Sequence, residues 1–160
     1  SDLNHTIRDI RTYILDLRPR QLHEENLMDG IRRLVQEFRA NTLITVNLQG
    51  SNEDFTAISD MQATALFHIC QEALANIAKH ARARTINVTL WKTPERYLLE
   101  VSDDGQGFDV EKIRHTIGHG LANMQTRARN AGGDVEVTSE PGNGTTILAW
   151  VPVTNDEPAG

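Results

Sequence analysis

The chain has 160 residues, of which 39% are hydrophobic and 24% charged, so it can form one domain with a hydrophobic core and an additional terminal element. Its formal net charge of −6 argues against a nucleic-acid partner, and no apolar run approaches the roughly 20 residues that a membrane span requires. Cys70, the single cysteine, excludes an internal disulfide and favours a reducing compartment.

The first twenty residues carry the spacing of a coiled-coil seam. Its apolar positions lie four, three, four and three residues apart, at Leu3, Ile7, Ile10, Ile14 and Leu17. Pro19 ends this helix. Such a seam predicts a partner helix outside the domain, although a helix packed on its own domain has similar spacing. Because the chain opens within this pattern, we expect it to be part of a longer protein.

The rest of the chain mixes helical and strand patterns. Helical spacing predicts helices over residues 27–38, 59–81 and 118–130, and alternation predicts strands around residues 44–48, 86–90, 97–101, 135–137 and 147–151. Polar turns are predicted at residues 50–54, 93–96 and 141–144. The later strands form two antiparallel hairpins, so we predict an α+β fold with one mixed sheet covered on one face by helices. Repeated βαβ units are missing, which disfavours a doubly wound nucleotide-binding fold.

A polar arc on the longest predicted helix is a candidate metal site. Glu72 and Asn76 are four residues apart, so their side-chain oxygens point to one side, and Lys79 adds a positive charge beside them. These hard oxygens suit Mg²⁺, which keeps several waters. The alternative is a solvated polar face. His68 and His80 flank the pair, but zinc is disfavoured because no cysteine cluster accompanies them.

An acidic turn is a candidate nucleotide contact. Asp103 ends an apolar strand and is followed by Gly105 and Gly107. The carboxylate can accept a hydrogen bond from the exocyclic amine of a base, and the glycines let the backbone approach the ring. The alternative is an ordinary glycine turn that binds nothing.

Two further glycine stretches have the chemistry of phosphate or base contacts. Gly118 and Gly120 open a predicted helix, where backbone N–H groups and the helix dipole favour an anion. Thr145 follows Gly144 at the start of a strand, from which its hydroxyl can reach a base or a phosphate. The alternative for Gly118 and Gly120 is that they only allow a loop to bend. The alternative for Thr145 is that it is a residue with high strand propensity in an ordinary strand.

In this order the stretches resemble the ATP-binding domain of histidine kinases. Residues 71–76 and 79–81 look like the N box, Asp103-x-Gly105-x-Gly107 like the G1 box, Gly118-x-Gly120-Leu121 like the G2 box, and Gly142-x-Gly144-Thr145 like the closing glycine–threonine motif. Residues 6–19 are similar to the end of the second dimerisation helix in kinases that feed NarL-like response regulators.

The resemblance implies the Bergerat fold, a two-layer α/β sandwich, with ATP and Mg²⁺ as cofactors. Matching positions imply that Asp103 binds the adenine amine, Asn76 holds Mg²⁺ and Lys79 faces phosphate. They place Gly105, Gly107, Gly118, Gly120, Leu121 and Thr145 at the nucleotide as well. His80 also matches a motif position, although its angle on the helix leaves a packing role open. Glu72 matches the residue that activates water in the ATPase relatives, and here we assign it to the metal or its water network. A lid of about ten residues is expected at 108–117.

The resemblance also implies a domain organisation for this chain and for the longer protein. Residues 1–20 would end the dimerisation helix, residues 21–153 would form the catalytic domain, and residues 154–160 would be a frayed tail. The intact protein would be a homodimeric, cytoplasmic or membrane-anchored histidine kinase. It would phosphorylate a histidine on its upstream domain and pass the phosphoryl group to a response regulator. No histidine here has the Arg-x-x-His-Asp context of a phosphoacceptor. A gyrase-like ATP hydrolase and a nucleotide-sensing module without transfer remain as alternatives.

Overall fold

The structure, a computed structural model, describes residues 26–80, 83–105, 118–139, 142 and 144–154. The described elements in chain order are helix α1 (Leu27–Asn41), strand β1 (Thr45–Gln49), a 3-10 helix (Asn52–Phe55), helix α2 (Asp60–His80), strands β2 (Thr85–Lys92) and β3 (Arg96–Asp103), helix α3 (Gly118–Asn130), and strands β4 (Asp134–Ser139) and β5 (Thr145–Pro152). The predicted dimerisation helix, the lid at 108–117, Gly107 and the end of the tail lie outside the described residues.

The five strands form one mixed sheet in the order β1-β2-β3-β5-β4. β1 pairs with β2 in parallel, and α2 supplies the crossover connection that a parallel pair requires. β2 with β3 and β4 with β5 form the two antiparallel hairpins that the sequence predicts, and β3 pairs with β5 to join them. The predicted α+β fold with a mixed sheet is therefore confirmed.

The hydrophobic core lies between one face of the sheet and the helices. Alternate residues of β5 are buried, and the residues between them are half-buried. α2 packs against α1, α3, β3 and β5, which places it at the centre of the helical layer. Its buried face includes Leu66, Ile69, Cys70, Ala73, Leu74 and Ile77. Complete burial raises the pKa of the Cys70 thiol to about 12, so this cysteine is a neutral packing residue.

Local signals set the ends of the elements. The side chain of Asn26 caps α1 by accepting a hydrogen bond of 2.8 Å from the backbone N–H of Asp29. Part of the polar turn predicted at residues 50–54 is a turn of 3-10 helix, Asn52–Phe55, and its last residue, Phe55, is buried with its ring centroid 5.6 Å from that of Tyr97. None of the helices in the described part of the chain has the length and apolar character needed to cross a membrane.

Candidate functional site

A row of four directly paired residues crosses the sheet at one end of its helix-facing side. Asp103 at the end of β3 pairs with Ile86 of β2 on one side and with Thr145 of β5 on the other, and Thr145 pairs with Ser139 of β4. Ile86, Asp103 and Thr145 are buried and Ser139 is half-buried. A carboxylate and two hydroxyls therefore occupy positions that hydrophobic residues fill farther along the same strands.

The two oxygens of the Asp103 carboxylate differ in their hydrogen bonding within the described part of the chain. Oδ1 accepts a hydrogen bond of 2.6 Å from the backbone N–H of Gly105. Oδ2 is buried and has no hydrogen-bond partner within the described part of the chain. Burial raises the pKa of Asp103 and the nearby charge of Asp104 adds to this effect, whereas the backbone N–H groups of Gly105 and Thr145 oppose it. A buried acceptor without a hydrogen bond lowers the stability of the fold. Oδ2 therefore suits a ligand that brings a hydrogen-bond donor.

Asp104 fastens the end of β3 to the residues that follow α2. Its Oδ1 accepts hydrogen bonds of 2.9 Å from the backbone N–H groups of Arg84 and Thr85, and its own N–H donates to the Thr85 carbonyl at 3.2 Å. These backbone donors lower the pKa of Asp104. The C-terminal end of α2 and Asp103 consequently lie at the same end of the sheet. Sequence reasoning missed this role, because a carboxylate in a glycine turn does not show which distant backbone groups it accepts from.

The polar arc of α2 is less solvated than its sequence suggests. Asn76 is only 8% exposed, and its Nδ2 is buried without a partner in the described structure. Glu72 is half-buried, whereas Lys79 is exposed. Asn76 therefore does not belong to a solvated face. The Nδ2 group suits a hydrogen-bond acceptor on a polar ligand, and a carboxamide oxygen suits Mg²⁺. His80 is the last residue of α2, and its side chain is not among those that the structure describes.

The residues of the described ranges contain no group of three His, Cys, Asp or Glu side chains that could hold a metal ion together. Mg²⁺ does not require such a group, because it commonly binds one or two protein oxygens and completes its shell with phosphate and water oxygens. Asn76 fits that mode of binding.

Helix α3 begins at Gly118, as the sequence predicts, so Gly118 and Gly120 both lie in its first turn. Leu121 is half-buried and packs against the hydrophobic core, and Met124 and Ala128 are fully buried. Leu121 thus helps hold the helix in place. The first turn of a helix has backbone N–H groups without intrahelical partners and the positive end of the helix dipole, which favour an anion, and α3 is thirteen residues long.

His68 belongs to the contact between α2 and α3 and was missed as such from the sequence. It is half-buried, and its ring lies edge-on to Phe67 with centroids 5.5 Å apart. Burial and the positive charge of Arg127 on α3 lower the pKa of His68, and a hydrogen bond to Gln71 opposes this shift. The imidazole is therefore neutral near pH 7.

Gly144 lies directly against the backbone of the acidic turn. Its φ of +79° is in the left-handed region, and a β-carbon added there would overlap the carbonyl oxygen of Asp103. Ser139 Oγ donates to the Gly144 carbonyl at 3.1 Å and lies 2.8 Å from Thr145 Oγ1. The glycine–threonine motif and the acidic turn, which are far apart in sequence, thus form one unit.

Comparison with known proteins agrees with this geometry. A family profile described as "Histidine kinase-, DNA gyrase B-, and HSP90-like ATPase" matches residues 61–155. The chain is 35% identical to the sensor histidine kinase LiaS of Bacillus subtilis over 93% of its own length, and 34% identical to the histidine-protein kinase/phosphatase UhpB of Salmonella typhimurium over 86%. It spans only 40% and 27%, respectively, of these two proteins.

A solved structure shares the fold. The histidine kinase domain of the blue-light activated kinase from Erythrobacter litoralis superposes with a TM-score of 0.68 at 19% identity, covering 80% of this chain and 65% of that one.

We expect Gly144→Ala to destabilise the domain far more than Gly142→Ala. Both glycines have positive φ, so both substitutions add strain of roughly 1–2 kcal/mol. Among the described residues, only the new β-carbon at position 144 meets backbone, since the one at position 142 has no described atom within 4 Å. The expected loss at Gly144 is therefore about 3 kcal/mol or more. Denaturant unfolding of the two variants measures the difference, and equal losses would contradict the close approach.

The raised pKa of Asp103 predicts how this residue affects stability at different pH values. Because the pKa of Asp103 is raised in the folded state, ionisation of Asp103 costs stability as pH rises from the unfolded pKa through the folded pKa. The unfolding free energy of Asp103→Asn, relative to the unsubstituted chain, should therefore increase from about pH 3.5 to pH 7.

The matched control is Asp134→Asn. A hydrogen bond from the backbone N–H of Val135, assisted by Arg129, lowers the pKa of Asp134. This carboxylate stabilises the fold above its unfolded pKa and loses that effect as pH falls, so its variant should show the opposite trend. Parallel trends for the two variants would contradict the assignment of burial as the dominant effect at Asp103.

Proposed function

Because the chain belongs to the histidine kinase-, DNA gyrase B- and HSP90-like ATPase family, we propose that it is the ATP-binding catalytic domain of a sensor histidine kinase. The observation that carries the proposal is the buried Asp103 Oδ2 on the helix-facing side of the sheet, which has no hydrogen-bond partner among the residues that the structure describes. An adenine amine is a donor of the required kind. The buried Nδ2 of Asn76 on the adjacent helix also has no hydrogen-bond partner within the described residues, which gives independent support for a polar ligand.

Each group at the site has a chemical task in this proposal. Asp103 accepts from the N6 amine of the base, and the glycines at 105 and 144 keep the backbone close to it. The first turn of α3 faces the phosphates with its N–H groups. Lys79 contributes positive charge at the phosphates, and Asn76 supplies an oxygen to Mg²⁺. Bound Mg-ATP supplies the γ-phosphoryl group, whose transfer depends chiefly on positioning and charge stabilisation.

The proposal for the intact protein rests on its relatives, which are sensor kinases longer than this chain. In it, residues 1–20 end a dimerisation helix, residues 21–153 form the catalytic domain and residues 154–160 are a tail. The phosphoryl group passes to a histidine of the upstream domain in a homodimer and then to a response regulator. Use of ATP as the donor supports a cytoplasmic location for this domain.

The first test of the proposal is nucleotide selectivity. Mg-ATP and Mg-ADP should bind the chain, whereas Mg-GTP should bind at least about a hundredfold more weakly, because guanine presents an oxygen where Asp103 requires a donor. Asn76→Ala should weaken Mg-ATP binding about tenfold or more without unfolding the domain. Isothermal titration calorimetry measures these affinities.

The control variant is Asn87→Ala. Asn87 is exposed, and it accepts a hydrogen bond of 3.1 Å from Asn47 on the sheet face opposite the helices. Mg-ATP affinity should not change in this variant. Comparable affinity for GTP and ATP would exclude the adenine assignment of Asp103. An unchanged Mg-ATP affinity in Asn76→Ala would exclude the metal assignment.

The second test concerns catalysis. Incubated with γ-labelled ATP, this chain should not label itself and should hydrolyse ATP very slowly, because none of its histidines has a phosphoacceptor context. A longer protein that includes the upstream helix should gain acid-labile phosphohistidine on that helix, and Asn76→Ala should abolish the label. Rapid ATP turnover by the chain without label would favour the hydrolase alternative, in which Glu72 activates water.

A further inference from the structure

Asp104 connects two segments of the candidate site that are far apart in sequence. It follows Asp103 directly, and its Oδ1 accepts hydrogen bonds of 2.9 Å from the backbone N–H groups of both Arg84 and Thr85. We call these two hydrogen bonds the Asp104 clamp. Thr85 is the first residue of β2, and only four residues separate it from His80, the last residue of α2. The clamp therefore fastens the acidic turn to the segment that leads out of α2.

The clamp also limits where the C-terminal end of α2 can lie. Asn76 is about one turn from the end of this helix, and Lys79 is its penultimate residue. Because the connection from α2 to β2 is short, a shift of the clamped residues moves or strains the end of the helix. The positions of Asn76 and Lys79 relative to Asp103 consequently depend on the clamp.

The hairpin of β2 and β3 has other contacts that hold it together. The two strands pair directly along seven residues of each strand. The backbone N–H of Asp104 also donates to the Thr85 carbonyl at 3.2 Å, and this hydrogen bond does not involve the side chain. Asp104 is exposed, so the loss of its carboxylate leaves no buried cavity. Its side chain therefore affects local geometry more than it affects the stability of the fold.

We propose that Asp104 is a positioning residue that sets the spacing between the base-binding half and the metal-binding half of the site. The inference rests on the proposed function, in which Asp103 binds the adenine amine and Asn76 binds Mg²⁺. Mg-ATP carries both groups on one molecule, so both halves contribute fully to its affinity only when their spacing matches that of the ligand. A clamp that is formed before binding reduces the ordering that binding would otherwise require.

The geometry and the charge of Asp104 predict different results for its variants. The clamp needs an oxygen that accepts from two N–H groups, and the oxygen of an asparagine carboxamide can do so at the same distance from the backbone. Asp104→Asn therefore keeps the clamp without the charge, whereas Asp104→Glu keeps the charge but moves the oxygens by one methylene. If the charge acted instead, by repelling the phosphates, Asp104→Asn would raise the affinity for ATP and Asp104→Glu would leave it unchanged.

The experiment is a double-mutant cycle in which calorimetry measures Mg-ATP affinity at a temperature at which every variant is folded. It combines Asp104→Ala with Asn76→Ala. We expect Asp104→Ala to weaken Mg-ATP binding about tenfold, and Asn76→Ala to have only about a twofold effect in the Asp104→Ala background. Asp104→Glu should behave like Asp104→Ala, and Asp104→Asn should keep an affinity within about threefold of that of the unsubstituted chain.

The matched control is Glu95→Ala, which removes a negative charge from the other end of the same hairpin. Glu95 is exposed in the turn between β2 and β3. Its backbone carbonyl accepts a hydrogen bond of 2.8 Å from the N–H of Val153, and alanine keeps this contact. Glu95→Ala should leave Mg-ATP affinity unchanged, and Asn76→Ala should have its full effect in this background.

The outcomes separate this inference from the function on which it rests. If the unsubstituted chain does not bind Mg-ATP, the proposed function fails and the role of Asp104 fails with it. If the chain binds Mg-ATP but the effects of Asp104→Ala and Asn76→Ala are additive, only the role of Asp104 is overturned. Retained affinity in Asp104→Ala or Asp104→Glu overturns that role as well, and so does an equal loss in Asp104→Asn. Should Asp104→Ala not fold, Asp104→Glu takes its place in the cycle.

Discussion

The pairing of β3 with β5 is the interaction on which the site depends. It sets Asp103 opposite Thr145 and brings Gly144 against the Asp103 carbonyl. Side chains alternate between the two faces of a sheet, so a slip of one residue in this register would turn Asp103 or Thr145 toward the opposite face. The apolar residues farther along both strands prevent such a slip, because it would also move them out of the core. The core therefore fixes the position of polar groups that do not themselves stabilise it.

Those polar groups are placed at a cost to the fold. Asp103 Oδ2 and Asn76 Nδ2 are buried without partners in the described part of the chain, and an unmade buried hydrogen bond is destabilising. The large apolar surface that α2 covers offsets this cost. Donors and acceptors that have no protein partner in the unliganded state can form hydrogen bonds with a ligand. Binding of such a ligand increases the stability of the domain.

The sequence predicted the architecture well because its patterns are local. The apolar stripe of α2 and the alternation in β2 through β5 each span a single element, and the hairpins follow from short connections. The burial of Asn76 was not predictable in the same way. Helical geometry places Asn76 beside the apolar stripe of α2, but the packing of neighbouring elements decides whether that part of the helix surface is buried. The residue types at Asp103, Gly105 and Thr145 indicated a ligand site, and their roles there stay predictions.

Ser139 and Asp104 could not be recognised from sequence because their significance comes from pairing between distant strands. Ser139 is an ordinary polar residue of an edge strand until the register sets it beside Thr145. Asp104 looks like a turn residue, and only the structure shows that it accepts from two backbone groups twenty and nineteen residues earlier. Long-range polar contacts of this kind leave no periodic signal in a single sequence.

The pairing within each hairpin and the pairing between the two hairpins close loops of different length when the chain folds. β2 with β3 and β4 with β5 join neighbours in sequence, whereas the β3–β5 pairing closes a much longer loop and is entropically the more demanding step. Asp103 belongs to one hairpin, and Thr145 belongs to the other. Neither hairpin formed by itself contains both residues. Recognition of a base by both residues would therefore report that the hairpins have docked, and an undocked chain would lack the combined recognition surface.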